Sequence, residues 1–327
     1  MAGDLHYRGV DFAPAPGRAR RQSTWEIHLK RIAVIINGSA GSGHDDQAAT
    51  DLREKFRAHG CEAAVTLAKS GEEMIEAARK AVADGVDAVA AGGGDGTINA
   101  VASIMAGTGV PFGVLPLGTL NHFAKDIGIP LELDEAVRTV AEGRPIQVDV
   151  GEVNDKIFLN NSSLGLYVDI VRDREKQQHR LGRGKWPAAA RATVAALRRY
   201  PFLNVGLLVD GKQHARSTPF VFIGNNEYIM QGLSMGGRER LDAGTLSLYV
   251  AQRPGRLGLL RFAWRALFGR LAQERDFDVI LADKLDIATH HKRLHVATDG
   301  EVNMLTTPLR YRIRPGALTV IVPQQTP

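Results

Sequence analysis

The stretch Asp87-Ala88-Val89-Ala90-Ala91-Gly92-Gly93-Gly94-Asp95-Gly96-Thr97-Ile98-Asn99 decides how the chain folds. Its Val and Ala run reads as a buried strand, and Ile98 to Met105 reads as a helix. Between them lie three glycines, an acid, a fourth glycine and a threonine. A strand, a glycine turn and a helix N-terminus together form an anion site. The glycines admit a ligand close to the backbone, and the free N–H groups of the first helical turn point at it. The Thr97 hydroxyl adds a donor. An aspartate in such a turn opposes an anion electrostatically unless a metal or a transferable proton accompanies it, so Asp95 reads as chemical. The turn lacks the lysine of a P-loop, and no glycine stands at position 97 to complete a dinucleotide fingerprint.

Outward from this turn, strands alternate with helices. Arg31 to Ile36 reads as a buried strand ending in a second glycine-rich turn, Asn37 to Gly43. A helix over about Asp46 to Ala58 leads to a strand over Glu62 to Leu67. Another helix, about Glu72 to Ala83, leads back to the central strand. A short strand, Phe112 to Leu115, ends in Pro116-Leu117-Gly118-Thr119-Leu120-Asn121-His122-Phe123-Ala124-Lys125, which also suits a capped helix start. A helix over about Asp134 to Glu142 closes this half. The spacing predicts an α/β domain over 31–145, a parallel sheet with helices on both faces, binding ligands beyond the carboxyl ends of its strands. Both glycine turns and Thr66 lie at such ends. Residues 1–30, with Pro14, Pro16, Arg18, Arg20 and Arg21, read as a flexible basic arm.

From residue 146 the pattern changes to many short apolar runs with turn residues between them, among them Val205 to Val209, Phe220 to Ile223 and Leu318 to Val322. Asp210-Gly211 is a hairpin signal. Residues 146–327 therefore read as a β-rich antiparallel sandwich or barrel. Two inserts interrupt it. From Arg172 to Arg199 there are nine Lys or Arg and Trp186; from Arg256 to Leu271, Leu257, Leu260, Trp264, Leu267, Phe268 and Leu271 share one helical stripe flanked by arginines. A basic amphipathic helix with Trp and Phe suits a bilayer interface, and equally an ordinary core-packing helix with a solvated face.

A single cysteine, Cys61, excludes an intramolecular disulfide and fits a reducing compartment. No run reaches transmembrane length, so a cytoplasmic, peripherally attached protein is expected. A net charge of +5 favours an anionic partner. Nucleic acid is not expected, because no basic and aromatic β platform is apparent. His290, His291 and His295 read as surface residues, since consecutive strand residues face opposite sides.

The Gly92 to Thr97 turn resembles the GGDGT nucleotide site of diacylglycerol, sphingosine, ceramide and NAD kinases and of phosphofructokinases. The resemblance to the diacylglycerol kinase catalytic family, with its bacterial lipid kinases and sphingosine kinases, runs further. It continues in order through Phe158 to Gly165, Ile223 to Asn226, Met235 to Gly237, Thr298-Asp299-Gly300-Glu301 and Arg314 to Leu318. It implies ATP and Mg²⁺ as cofactors and a membrane lipid such as diacylglycerol as acceptor. A sphingoid base or ceramide, NAD, or a non-catalytic lipid-binding role are the alternatives. Carried over by residue, Asn37, Thr66, Gly93, Gly94, Asp95, Gly96, Thr97, Ile98, Asn99 and Thr119 contact the nucleotide. Asp95 lies near the γ-phosphate, through Mg²⁺ or as a base, and Glu301, with Asp299 beside it, is the candidate proton acceptor. Asp299-Gly300 also suits a plain hairpin turn. One departure concerns Leu241-Asp242-Ala243-Gly244-Thr245, where Ala243 stands in place of an acid that helps many bacterial members hold a structural Mg²⁺. The ligands of any accessory metal stay open.

Overall fold

The computed structural model describes residues 29–38, 46–165, 203–209, 211–231, 234–251 and 277–324. The expected basic arm, the glycine turn beyond Gly38 and the basic inserts at 172–199 and 256–271 lie outside these residues.

The first sheet grows from β1 (Arg31–Asn37), whose apolar run from Ile32 to Ile36 is buried throughout. β2 (Glu62–Ala68) and β3 (Ala88–Gly93) flank it in parallel, and β4 (Phe112–Pro116) extends the sheet beyond β3, also in parallel. Parallel neighbours require crossovers. These are α1 (Asp46–Ala58), α2 (Gly71–Ala83) and α3 (Asp95–Met105). The right-handed rule sets α1 on one face and α2 and α3 on the other. Accordingly α2 packs on α3, and α1 packs on α5 (Leu133–Glu142). β3 is buried along its whole length and consists of small residues, which lets helices approach both faces. At Gly113 of β4 an added Cβ would lie 2.8 Å from Val140, so the glycine sets how close α5 can pack. A five-residue helix, α4 (His122–Asp126), follows β4.

The second half is built from antiparallel strands. β5 (Arg144–Val153) turns into β6 (Lys156–Phe158), and β7 (Asn161–Gly165) follows. Then come β8 (Leu203–Val209), β9 (Lys212–Thr218), β10 (Phe220–Asn225), β11 (Tyr228–Gln231), β12 (Ser234–Arg238) and β13 (Leu246–Ala251). The last strands are β14 (Phe277–Ala282), β15 (Lys284–Ala288), β16 (Arg293–Thr298), β17 (Glu301–Thr306) and β18 (Leu309–Val322). Val209 pairs with Lys212, so the hairpin expected at Asp210-Gly211 forms, with Gly211 at φ +79°. β14, β13, β10, β7, β16 and β17 make a six-stranded sheet. It packs over β15, β8 and the first part of β18 through Leu164, Val205, Leu207, Ile223, Leu248, Leu285, Val296 and Tyr311. The Tyr311 hydroxyl meets Ser162 Oγ at 3.0 Å inside this sandwich.

The parallel sheet does not end at β4. β18 pairs in parallel with β4 at Val320 and Phe112, and antiparallel with β5 along most of its length. Its first residues pair with β15, which continues to β8 and β9. One ten-stranded sheet thus runs from the α/β half into the sandwich.

Candidate active site

β3 delivers the chain to the glycine turn, and α3 begins immediately after it at Asp95. Gly94 caps the helix without a side chain, so the N-cap residue itself supplies no side-chain hydrogen bond to the first turn. The turn is crowded. A Cβ at Gly93 would lie 2.5 Å from Thr97 Oγ1, and one at Gly118 would lie 2.4 Å from the Gly94 Cα. The β3–α3 and β4–α4 turns therefore touch backbone to backbone, which side chains would prevent. Asn121, in the left-handed region at φ +51°, ties the second turn together. Its Nδ2 donates to the Pro116 and Gly118 carbonyls, and its Oδ1 accepts the Gly118 N–H at 3.1 Å. Thr119 and Leu120 are left exposed at the tip.

Of the residues expected at the nucleotide, Asn37, Gly93, Gly94, Asp95, Gly96 and Thr97 gather around the start of α3. Asn37 Nδ2 reaches Thr97 Oγ1 at 3.4 Å. Thr119 belongs to the turn that touches Gly94. Ile98 is 3% exposed, and its N–H donates to the Gly94 carbonyl, so it anchors the turn from the core side. Thr66 stands apart, exposed on the edge strand β2, with β1 between it and β3. Asp95 is half-buried; its Oδ1 accepts the Phe123 N–H at 3.3 Å from the first turn of α4.

The acids of the sandwich half arrive on the β16–β17 hairpin. Thr298 pairs with Glu301, and the two residues between them, Asp299 (φ +48°) and Gly300 (φ +87°), both lie in the left-handed region, as a type I′ turn requires. The Asp299 carboxylate is enclosed by donors. Oδ1 accepts the N–H groups of Asn160 and Asn161, at 2.8 and 2.9 Å. Oδ2 accepts the Leu159 N–H at 2.7 Å and the Asn99 side-chain amide. Burial pushes the Asp299 carboxyl up, and these four donors act in the opposite sense. Asn99 of α3 is thereby engaged with the sandwich half. Glu301 is exposed, and its Oε1 lies 2.9 Å from the point where a Gly96 side chain would begin. The hairpin thus sets a carboxylate against the first turn of α3, where the helix dipole favours negative charge.

The departing stretch around Ala243 is held by protein groups. Ala243 N–H donates to Asn226 Oδ1 at 3.1 Å, and Gly244 N–H to Asp149 Oδ2 at 2.6 Å. Asp149, 2% exposed, also accepts the Gly316 N–H at 2.8 Å. Asp242 faces Arg240 on the surface. Among the described residues no three His, Cys, Asp or Glu side chains gather as a metal cage. At the glycine turn the residues do suit a nucleotide-borne Mg²⁺. Asp95 has a protein hydrogen bond on one oxygen, which leaves the other for a ligand. Sequence reasoning did not single out Asp126, Asp149 or Arg238. Asp149 sits in a strand pattern, and Arg238 follows two glycines without a motif that marks it.

Known proteins agree with this architecture. Residues 31–153 match the family model for the diacylglycerol kinase catalytic domain, and residues 163–322 the YegS C-terminal NAD kinase beta sandwich-like domain. A diacylglycerol kinase of Bacillus subtilis is 27% identical over 285 residues, 84% of this chain and 90% of that one. A protein named probable lipid kinase YegS-like, from Chromohalobacter salexigens, is 27% identical over 299 residues, 89% of this chain and 93% of that one. A crystal structure of a diacylglycerol kinase from Bacillus anthracis superposes with a TM-score of 0.65 at 21% identity, covering 90% of this chain and 98% of that one. With the glycine turn, the Asp-Gly-Glu hairpin and the sandwich all in place, the chain joins a diacylglycerol kinase catalytic domain to a YegS C-terminal sandwich domain and is similar along most of its length to proteins named as lipid kinases.

Proposed function

We propose that this protein is an ATP-dependent lipid kinase that phosphorylates the hydroxyl of diacylglycerol or a related membrane lipid. One observation carries the reading: acids from the two halves of the chain, Asp95 and Glu301, both stand at the start of α3, where Gly94 provides no side-chain cap. A lipid hydroxyl is a weak nucleophile. Its phosphorylation needs in-line positioning, charge stabilisation on the phosphoryl oxygens and a local proton acceptor.

The N–H groups of Asp95, Gly96 and Thr97 and the positive end of the α3 dipole hold the phosphates, with Asn37 and Thr97 adding polar side-chain contacts. Asp95 would hold the Mg²⁺ that accompanies ATP through its unengaged oxygen, and the ion would supply charge neutralisation on the phosphate oxygens. Glu301 takes the hydroxyl proton as the lipid oxygen bonds to the γ-phosphorus. The bond from that phosphorus to the bridging oxygen breaks, and ADP leaves. Asp299, with its acceptor sites filled by N–H donors, holds the turn while Glu301 accepts the proton.

Attachment at an anionic membrane surface through the basic segments 172–199 and 256–271 belongs to the same proposal. Each Lys or Arg near such a leaflet contributes roughly 1 kcal/mol. No helix among the described residues is long and apolar enough to cross a membrane. A second reading, phosphorylation of NAD, is favoured by the name of the sandwich model that matches residues 163–322. Radiolabel transfer from γ-labelled ATP, in mixed micelles offering diacylglycerol, monoacylglycerol, ceramide or sphingosine and with NAD offered separately, decides between them. A labelled lipid that disappears in Asp95→Ala and Glu301→Ala is the expected result. Label in NAD alone, or turnover unchanged in both variants, overturns the reading.

A further inference from the structure

The most fully engaged charged group among the described residues lies outside the nucleotide turn. Arg238, at the end of β12, has a side chain with 0% exposure. Its Nε and Nη2 both donate to Asp126 Oδ2, at 2.9 and 2.8 Å. Nη1 donates to the Leu159 and Asn225 carbonyls, at 2.7 and 3.0 Å, and Nη2 also reaches Asn160 Oδ1 at 3.1 Å. The guanidinium lies 5.5 Å from the centre of the Tyr228 ring. A buried guanidinium is costly to desolvate, and replacing such a pair by apolar groups is often neutral or stabilising. Stability alone is therefore a weak account of why this fork is here.

What it grips is informative. Leu159, Asn160 and Asn161 are the residues whose N–H groups enclose Asp299. Arg238 and Asn225 hold the same segment from its carbonyl side: Asn225 Nδ2 donates to the Leu159 carbonyl at 2.8 Å, and Asn225 N–H to the Asn160 carbonyl at 2.9 Å. The segment is clamped on both edges, and the carboxylate it encloses sets the turn that carries Glu301. Asp126, the guanidinium's other partner, ends α4, and the first turn of α4 donates to Asp95. Asn99 closes the circuit by joining α3 to Asp299. The contacts thus form a ring that passes through Asp95 and through Asp299, two residues before Glu301.

We propose that Arg238 is a positioning residue for phosphoryl transfer. By bridging Asp126 to Leu159 and Asn160 it fixes Asp299, and through it the direction in which Glu301 faces α3. The role in turnover rests on the lipid kinase reading above; the role in ordering the turn does not.

Removing Arg238 alone leaves Asp126 without its counter-charge at 14% side-chain exposure, and that variant is prone to fail in folding. The test is therefore the double variant Asp126→Asn/Arg238→Met, which removes the clamp and leaves no orphan charge. In it, kcat for lipid phosphorylation falls on the order of 10- to 100-fold while KM for ATP stays within about threefold, since misplacing a reacting group by about 1 Å has that effect. Amide exchange is read on the same protein. Leu159, Asn160, Asn161 and Asp299 exchange at least about tenfold faster, whereas Ile32 to Ile36 of β1 are unchanged. A kcat within threefold of the parent overturns the proposal. So do kcat, ATP affinity and melting temperature falling together, as general loosening would give. Should the parent itself phosphorylate no lipid, the kinase reading fails and the exchange measurement still decides: protection retained at 159–161 and 299 overturns the positioning role.

Discussion

Gly96→Ala isolates the meeting of the two halves of the chain. Gly96 is the second residue of α3, where alanine is the better helix former by up to about 1 kcal/mol. The fold therefore loses nothing from the methyl group itself. The new Cβ would lie 2.9 Å from Glu301 Oε1, whereas ordinary contact begins at 3.4 Å. The carboxylate must retreat by about 0.5 Å, and as the tip of an exposed side chain it does so with little loss of stability. Catalysis is less forgiving. At about 100-fold for 1 Å, half that displacement lowers kcat roughly tenfold, or about 1.4 kcal/mol in the barrier. The assay is initial-rate transfer from γ-labelled ATP in mixed micelles, paired with thermal melts. A methyl group that merely obstructed phosphate would also slow the reaction, so the variant is repeated in a Glu301→Asp background, where the shorter carboxylate stands back from the methyl group and keeps a proton acceptor for residual turnover. There it has nothing to displace, and its effect should vanish. Losses that add in the double variant, or a full kcat in Gly96→Ala with an unchanged melting temperature, would refute the reasoning.

Three further outcomes are expected. Asp299→Asn replaces an oxygen enclosed by N–H donors with an NH₂ group, which loses about 1–3 kcal/mol and lowers the melting temperature by a few degrees; an unchanged melt removes Asp299 as the anchor of the hairpin. Gly118→Ala has no room beside the Gly94 Cα, so both the melting temperature and ATP affinity should fall, and retention of both contradicts the backbone contact between the two turns. Asp87 is held below the ordinary carboxyl range by the backbone N–H groups of Arg31 and then Lys30. Its contribution is complete above the unfolded pKa of about 3.9 and is lost as pH falls through the lower folded value. The urea midpoints of the parent and Asp87→Asn should therefore differ at neutral pH and converge in acid; a gap that persists below that value would contradict this account.

The first half of the chain was legible because its signals are local. The apolar run of β1, the helical periods of α1 and α2 and the glycine turn at β3 each announce themselves within a dozen residues. The same holds for the hairpins at Gly211 and Gly300. α4 was less visible, since five residues carry little periodicity. β18 read as a terminal strand of the sandwich, and nothing near Val320 discloses that it pairs with Phe112. The site divides in the same way. Asp95 and Glu301 stood out by motif, whereas the enclosure of Asp299 depends on backbone N–H groups about 140 residues away, which carry no side-chain signature. Arg238 was hidden for a related reason, because two of its partners are main-chain carbonyls and its ion-pair partner Asp126 lies 112 positions away.

The long strand β18 also orders events during synthesis. As the α/β half leaves the ribosome, the outer edge of β4 and one side of β5 have no partner, because both await β18, whose residues come about 160 to 210 positions later. Until β18 arrives, that half carries bare strand edges of the kind that pair with other chains. The emergence of β18, rather than completion of the nucleotide turn, is then the moment at which the sheet becomes safe from aggregation. A chain stopped before Leu309 would keep those edges open permanently.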